Sequence, residues 1–277
     1  MLDDSSVKLG VAQASAVVGD VEANLKTLSS TVEAAAQNGA ELVVTPELFA
    51  TGYDPAGAWR HDGAAIRDRL GAIAHELGVA VVASTVDERP SGAGAERYIA
   101  ASFFDASGEE IARVHKRHLY DIERDFFLPG ESYGEIVRWH GLHFGLGICY
   151  DVEFPEFGRS LAEAGAEILL IPTAVPVIPH HSERRDHRLN YSASQTSTLL
   201  VPARALENGV AIVYANHCGA SFTGHSCIVN PFGRCVEMIE SESGVGVTEI
   251  GVADIAEARA LNPYLSDLQR LHGRTGQ

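Results

Sequence analysis

Gly141-Leu-His-Phe-Gly-Leu-Gly-Ile-Cys149 is an apolar run, broken by glycines, that stops at a thiol, and Tyr150-Asp-Val-Glu-Phe-Pro-Glu156 follows it. The run reads as a buried strand, the next residues as a turn, and the Pro-Glu pair as the start of a helix. A strand that turns directly into a helix is where an α/β sheet presents a reactive side chain to a crevice. Two other strand ends have the same shape. Thr45-Pro-Glu47 stops at a carboxylate, and His115-Lys116-Arg117 places an amine after another strand. A thiol, a carboxylate and an amine at strand ends suggest one catalytic constellation.

The surrounding sequence repeats itself. Ala35-Ala-Gln-Asn-Gly-Ala-Glu-Leu-Val-Val-Thr-Pro46 resembles Ala162-Glu-Ala-Gly-Ala-Glu-Ile-Leu-Leu-Ile-Pro172, each a helix end, a glycine cap and a buried strand ending at proline. Gly78 to Ser84 resembles Gly209 to Ala215, and Val7 to Gln13 loosely matches His143 to Cys149. In each half a two-strand unit follows: Tyr98 to Phe104 and Glu110 to His115, then Phe222 to Val229 and Arg234 to Ile239. Both halves therefore read strand, helix, strand, helix, strand, strand, and they meet near residues 130–140. Continuous apolar runs imply strands covered on both faces. Helices cover one face of each sheet, and the other face buries against its counterpart. The expected fold is α/β, a four-layer α-β-β-α sandwich from two duplicated halves, with 1–277 as a single domain. Leu25, Leu28, Val32 and Ala36 form one core stripe, and Leu70, Ile73, Ala74 and Leu77 form another.

With 277 residues and 45% hydrophobic content, the chain can bury a sizeable core. Its formal charge of −16 argues against nucleic acid or an anionic membrane surface as partner. No leader pattern and no apolar run of membrane-spanning length is visible. The four cysteines form no C-x-x-C pair and read as reduced thiols of a cytoplasmic protein.

The chemistry of the three strand ends is specific. A thiol is mostly protonated near neutral pH, and the thiolate is the nucleophile. Glu47 can take the proton from Cys149 if burial raises its pKa toward the working range. Lys116 would favour the thiolate and then hold the oxyanion of a tetrahedral intermediate, with the Tyr150 N–H as second donor. Taken singly, each residue has an ordinary structural explanation. Their occurrence together, at matching positions of a duplicated fold, favours an active site.

These stretches resemble the nitrilase superfamily of carbon–nitrogen hydrolases over nearly the whole chain. The resemblance rests on Pro46-Glu-Leu-Phe-Ala-Thr-Gly-Tyr53, His115-Lys-Arg-His-Leu119, Gly147-Ile-Cys-Tyr-Asp-Val-Glu-Phe-Pro-Glu156, Arg204-Ala-Leu-Glu-Asn208 and Gly224-His-Ser-Cys-Ile-Val-Asn-Pro-Phe-Gly233. It implies the same four-layer sandwich and a catalytic triad of Glu47, Lys116 and Cys149. It further implies a second glutamate, Glu123, seven residues before the glycine of Pro129-Gly130, which positions substrate or assists proton transfer. Alone, Glu123 in Asp-Ile-Glu-Arg-Asp reads as part of a surface charge cluster. Tyr150, where nitrilases proper usually carry Trp, and the Ile171-Pro-Thr-Ala174 stretch look most like bacterial aliphatic or stereoselective amidases. Dicarboxylate ω-amidases commonly carry Arg two residues after the Asp; Glu153 stands there and argues against a substrate with a free carboxylate.

Tyr53, Tyr150, Thr173 and Ala174 are the expected substrate-binding residues. Arg204 and Glu207, at i, i+3 on a helix, read as a structural pair, and Asn216 as a strand-end cap. Pro172 to Pro202 is longer than expected; His180, His181 and His187 within it show no ligand spacing, so neither metal nor cofactor is expected. The expected activity is hydrolysis of small, uncharged aliphatic amides to acid and ammonia. An N-carbamoyl amide hydrolase and a nitrilase are the enzymatic alternatives, and a non-catalytic scaffold is the other. A homodimer or larger homo-oligomer is expected, because the apolar sheet edges and Leu261-Asn-Pro-Tyr-Leu265 need cover, and the resemblance implies pairing through the helix from Phe154 to Ala164.

Overall fold

The computed structural model of the chain describes residues 5–92, 94–178 and 191–274. The first half runs β1 (Ser6–Gln13), α1 (Val21–Gln37), β2 (Leu42–Val44), α2 (Pro55–Ala58), α3 (Gly63–Leu77), β3 (Ala80–Ser91), β4 (Gly94–Phe104) and β5 (Glu110–His115). The second runs β6 (Ile136–Trp139), β7 (Leu142–Leu146), α4 (Pro155–Glu163), β8 (Ile168–Pro172), α5 (Val201–Asn208), β9 (Ala211–Ala215), β10 (Ser226–Val229), β11 (Cys235–Ile239), β12 (Gly244–Gly251), α6 (Val252–Leu261) and α7 (Tyr264–Arg274).

The strands form two six-stranded sheets, ordered β12-β1-β2-β3-β4-β5 and β11-β10-β9-β8-β7-β6. In each, three parallel strands carry the crossover helices and antiparallel strands extend both edges. One apolar cluster lies between the sheets and draws on both, with Leu9, Leu42 and Phe103 from one and Phe144, Leu170 and Val213 from the other. A second cluster packs α1 and α3 on the outer face of the first sheet, and a third packs α4 and α5 on the second. These are the four layers of the expected sandwich.

The local signals explain the elements. Asp20 and Asp62 cap α1 and α3 by accepting the N–H of Ala23 (3.1 Å) and Ala65 (3.0 Å). After α1 and α4 the chain turns at Gly39 (φ 90°) and Gly165 (φ 103°) and re-enters a sheet. Here the duplicated glycine caps serve duplicated turns.

Three expectations need correction. The order of each half omitted β6 and β12, strands that sit antiparallel beside β7 and β1 at equivalent places in the two sheets. The strand expected from Phe222 begins at Ser226, because Gly224 and His225 both take positive φ (64° and 57°). In α1 it is Ala35, not Ala36, that is fully buried, while Ala36 is partly covered.

The duplication also aligns the strand ends differently. Cys149 follows β7, the counterpart of β1, whereas Glu47 follows β2, the counterpart of β8, and Lys116 follows β5. The three do not occupy matching positions. Face-to-face packing of the sheets brings them together. No helix among the described residues is long and apolar enough to cross a membrane.

Candidate active site

The turn at Cys149 is built by close packing. A Cβ at Gly147 would lie 2.1 Å from the ring of Phe157, so α4 presses directly on the backbone that ends β7. The chain then turns at Cys149 itself, which takes φ 48°. A non-glycine residue in this region is strained by about 1–2 kcal/mol. Leu48, immediately after Glu47, does the same (φ 49°). Asp151 fastens the turn: its Oδ2 accepts the Ile148 N–H (3.1 Å), and its Oδ1 accepts the His118 backbone N–H (2.8 Å) and faces His118 Nδ1 (2.9 Å). Asp151 thus ties the cysteine turn to the segment that carries Lys116. Arg204 braces the far side, donating to the carbonyls of Val152 (3.1 Å) and Glu153 (2.9 Å) as well as to Glu207 (2.9 Å).

Glu47, Lys116 and Glu123 are fully buried. The Lys116 ammonium donates to Glu47 Oε1 (2.8 Å) and Glu123 Oε1 (2.7 Å). Glu123 also accepts the Tyr53 hydroxyl (2.8 Å) and, through Oε2, the Tyr120 N–H (2.7 Å). The residue that looked like surface charge is the inward member of Asp121–Asp125, with its charged neighbours exposed. The loop that carries it is clasped at its base, where the Gly130 N–H donates to the Lys116 carbonyl (2.8 Å). A Cβ at Gly130 would lie 2.5 Å from the His115 carbonyl.

Among the described residues, no donor lies within ordinary hydrogen-bond distance of Glu47 Oε2. Burial pushes the Glu47 carboxyl up to about 8, with Lys116 opposing and Glu123 reinforcing. Burial also raises the Cys149 thiol, with Glu47 adding and Lys116 opposing, so the resting cysteine is protonated. Its Sγ faces the Ala174 carbonyl at 3.8 Å. Burial works against the Lys116 charge, but Glu47, Cys149 and Glu123 outweigh it and keep the ammonium protonated.

The cleft at Cys149 is small and is lined by Tyr120, Tyr150, Glu153, Ala174, Val175 and Tyr191. Tyr150 and Ala174 form its wall. Tyr53 and Thr173 are not among the lining residues: the Tyr53 hydroxyl donates to Glu123 (2.8 Å), and the Thr173 carbonyl accepts the Glu47 N–H (3.1 Å). Asn216 holds the β9 end by accepting the N–H of Val175 and His217, each at 2.9 Å.

Sequence reasoning missed His217. It is buried between the rings of Phe49 and Phe222 and meets the Glu47 carbonyl at 2.7 Å, so Nε2 carries the proton. Burial lowers its pKa to about 4 and keeps it neutral. The only available signal was its place just after an apolar strand. His180, His181 and His187 lie outside the described residues; among those described, no group of three or more His, Cys, Asp or Glu could hold a metal ion.

The carbon–nitrogen hydrolase family model matches residues 8–260. The chain belongs to that family. This carbon–nitrogen hydrolase is 34% identical over 259 residues to a hydrolase in the pqqF 5′ region of Pseudomonas protegens, covering 90% of this chain and 84% of that protein. It is 29% identical to the 2-oxoglutaramate amidase of Bacillus subtilis, covering 91% and 93%. An amidase from Nesterenkonia sp. AN1, solved in complex with acrylamide, superposes with a TM-score of 0.81 at 32% identity, over 98% of this chain and 97% of that one. Other structures of that amidase contain butyramide, or the acetamide moiety of fluoroacetamide added covalently to the active-site cysteine. The hydrolase is thus of amidase type within the nitrilase superfamily.

Proposed function

We propose that this enzyme is a cytoplasmic amidase that converts small aliphatic amides to the carboxylic acid and ammonia through a thioester on Cys149. The observation that carries the reading is the buried Lys116 ammonium, held by two buried carboxylates beside a cysteine on a left-handed turn.

In this reading Glu47, with its unpartnered oxygen, takes the thiol proton as Cys149 Sγ forms a bond to the amide carbon. Lys116 and the Tyr150 N–H receive the negative charge that develops on the amide oxygen. Glu47 returns the proton to nitrogen as the C–N bond breaks, and ammonia leaves. Water, deprotonated by Glu47, then hydrolyses the thioester and restores the thiol. Glu123 holds Lys116 and the Tyr53 hydroxyl, so it fixes where the ammonium sits. Tyr150 and Ala174 contact the acyl group; Tyr53 and Thr173 position Glu123 and Glu47. Neither metal nor cofactor takes part. The acrylamide and butyramide bound by the Nesterenkonia amidase support a short, uncharged acyl chain. A homodimer through the exposed side of α4 belongs to the same proposal, and sedimentation at micromolar concentration tests it.

The deciding assay offers butyramide, butyronitrile and an N-carbamoyl amine and measures ammonia and carbon dioxide. Ammonia from the amide, faster than from the nitrile and without carbon dioxide, is the expected result. Faster nitrile turnover assigns a nitrilase, and carbon dioxide release a carbamoyl hydrolase. No turnover together with a Cys149 inert to iodoacetamide leaves a scaffold.

A further inference from the structure

The cleft holds one carboxyl that this mechanism does not use. Glu153 closes the 3-10 turn that Cys149 opens, and it lines the cleft together with Tyr120, Tyr150 and Tyr191. Its Oε1 accepts a long hydrogen bond from Thr196 Oγ1 (3.3 Å). The cations that act on it are engaged elsewhere: Lys116 with Glu47 and Glu123, and Arg204 with Glu207 and backbone carbonyls. Burial raises the Glu153 carboxyl. The Tyr120 and Tyr191 phenols are raised by burial and, in part, by Glu153. Around this carboxyl the described residues of the cleft therefore offer only neutral or anionic groups.

A carboxylate removed from water without a cation is unfavourable until one arrives. Aromatic faces add attraction for an ammonium. We infer that the preferred substrate carries an amino group on its acyl chain, bound as an ammonium by Glu153 among the rings of Tyr120, Tyr150 and Tyr191. This rests on the amidase reading of the same cleft and departs from it in one respect: the preferred acyl chain is cationic rather than uncharged. A 3-10 rise of ~2.0 Å per residue puts Glu153 about 8 Å along the turn from Cys149. Allowing for an ion-pair contact, the amine sits about two or three carbons beyond the amide carbon. A carboxylate at the same place would face Glu153 and be rejected.

The test compares kcat/KM for 3-aminopropanamide and 4-aminobutanamide with that for the isosteric butyramide and pentanamide. Wild type should favour the amino amides by about tenfold or more. Glu153→Gln should bring that ratio to about one, mainly through KM, and the charge-retaining Glu153→Asp should keep part of it. An equal ratio in wild type and Glu153→Gln overturns the inference. Calorimetric titration of the Cys149→Ala protein with propylamine gives a readout independent of turnover. Binding that weakens about tenfold on adding Glu153→Gln supports the ammonium site, and unchanged or absent binding overturns it. Failure of wild type to hydrolyse any amide would instead refute the amidase reading, while the calorimetry still decides the site.

Discussion

His115 and Lys116 are neighbours in the chain, yet each serves a different ionic cluster. His115 Nε2 meets Asp87 Oδ2 at 2.8 Å, and Asp87 Oδ1 is also paired with Arg67 (3.2 Å) and Arg113 (3.0 Å). Lys116 alone serves two carboxylates, Glu47 and Glu123. Burial acts to raise both Asp87 and Glu47. At Asp87 the hydrogen bond from His115 and the charges of Arg113 and Arg67 outweigh it, and the pKa falls below the usual carboxylate value. At Glu47 a single cation shared with Glu123 does not, and the pKa rises to about 8. The side chain of Arg113 is also 32% exposed, whereas the Lys116 cluster is wholly dry. A cation-rich, partly wetted carboxylate is structural; a cation-poor, dry one is poised to accept a proton near neutrality.

The comparison can be broken most sharply at the thiol. Cys149→Ala should lower turnover on the order of 10⁴-fold or more while the protein still folds and binds amide. Activity within tenfold of wild type in a contamination-controlled assay would remove the cysteine from the chemistry.

Lys116→Ala comes next. It should lower kcat by about 10²–10³-fold with a smaller change in KM, because the ammonium acts mainly on the transition state. Lys116→Arg should restore little, since a planar fork cannot occupy the place of a compact ammonium between Glu47 and Glu123. Comparable kcat in Lys116→Ala would place the oxyanion elsewhere.

A pH profile tests the Glu47 side of the contrast. The base must be ionised to act, so kcat/KM should rise with pH and level off near the Glu47 value of about 8. Below that value it should fall by about tenfold per pH unit. A profile already flat at pH 6 would show that the carboxyl is not raised.

The smallest effect on activity is expected at the other cluster. Asp87→Asn leaves Arg67, Arg113 and His115 without their shared anion and should destabilise the fold by roughly 2–3 kcal/mol, with kcat within about threefold of wild type. The Asp87 pKa is depressed in the folded state. Its stabilisation is therefore present above the unfolded carboxyl value and is lost as pH falls through the folded one. Thermal melts of both proteins between pH 3 and 7 should converge at the acid end.

The strand-to-helix elbow at Cys149, the paired glycine caps and the buried runs were legible because each is written in a few adjacent residues. β6 and β12 were not: they are edge strands whose meaning comes from the partner they join, and β12 joins β1 from the opposite end of the chain. Glu123 was legible only through family resemblance, since its acidic neighbours suggest a solvated face. His217, and the ties that Asp151 and Arg204 make around the nucleophile turn, depend on contacts across the fold. Tyr53 and Thr173 were expected to bind substrate and do not line the cleft at Cys149, since no local pattern distinguishes a residue that lines a cleft from one that lies beyond its wall.

The clasp between Gly130 and Lys116 makes the intervening loop behave like a buckled strap. Glu123 is mounted on the strap, and the buckle is a glycine with no chemistry of its own. Gly130→Ala would drive a methyl group into the His115 carbonyl, unfasten the strap and carry Glu123 away from the lysine it steadies. The same shift would pull on His115 and so reach Asp87. A position with no chemistry of its own therefore touches the backbone of both ionic clusters at once.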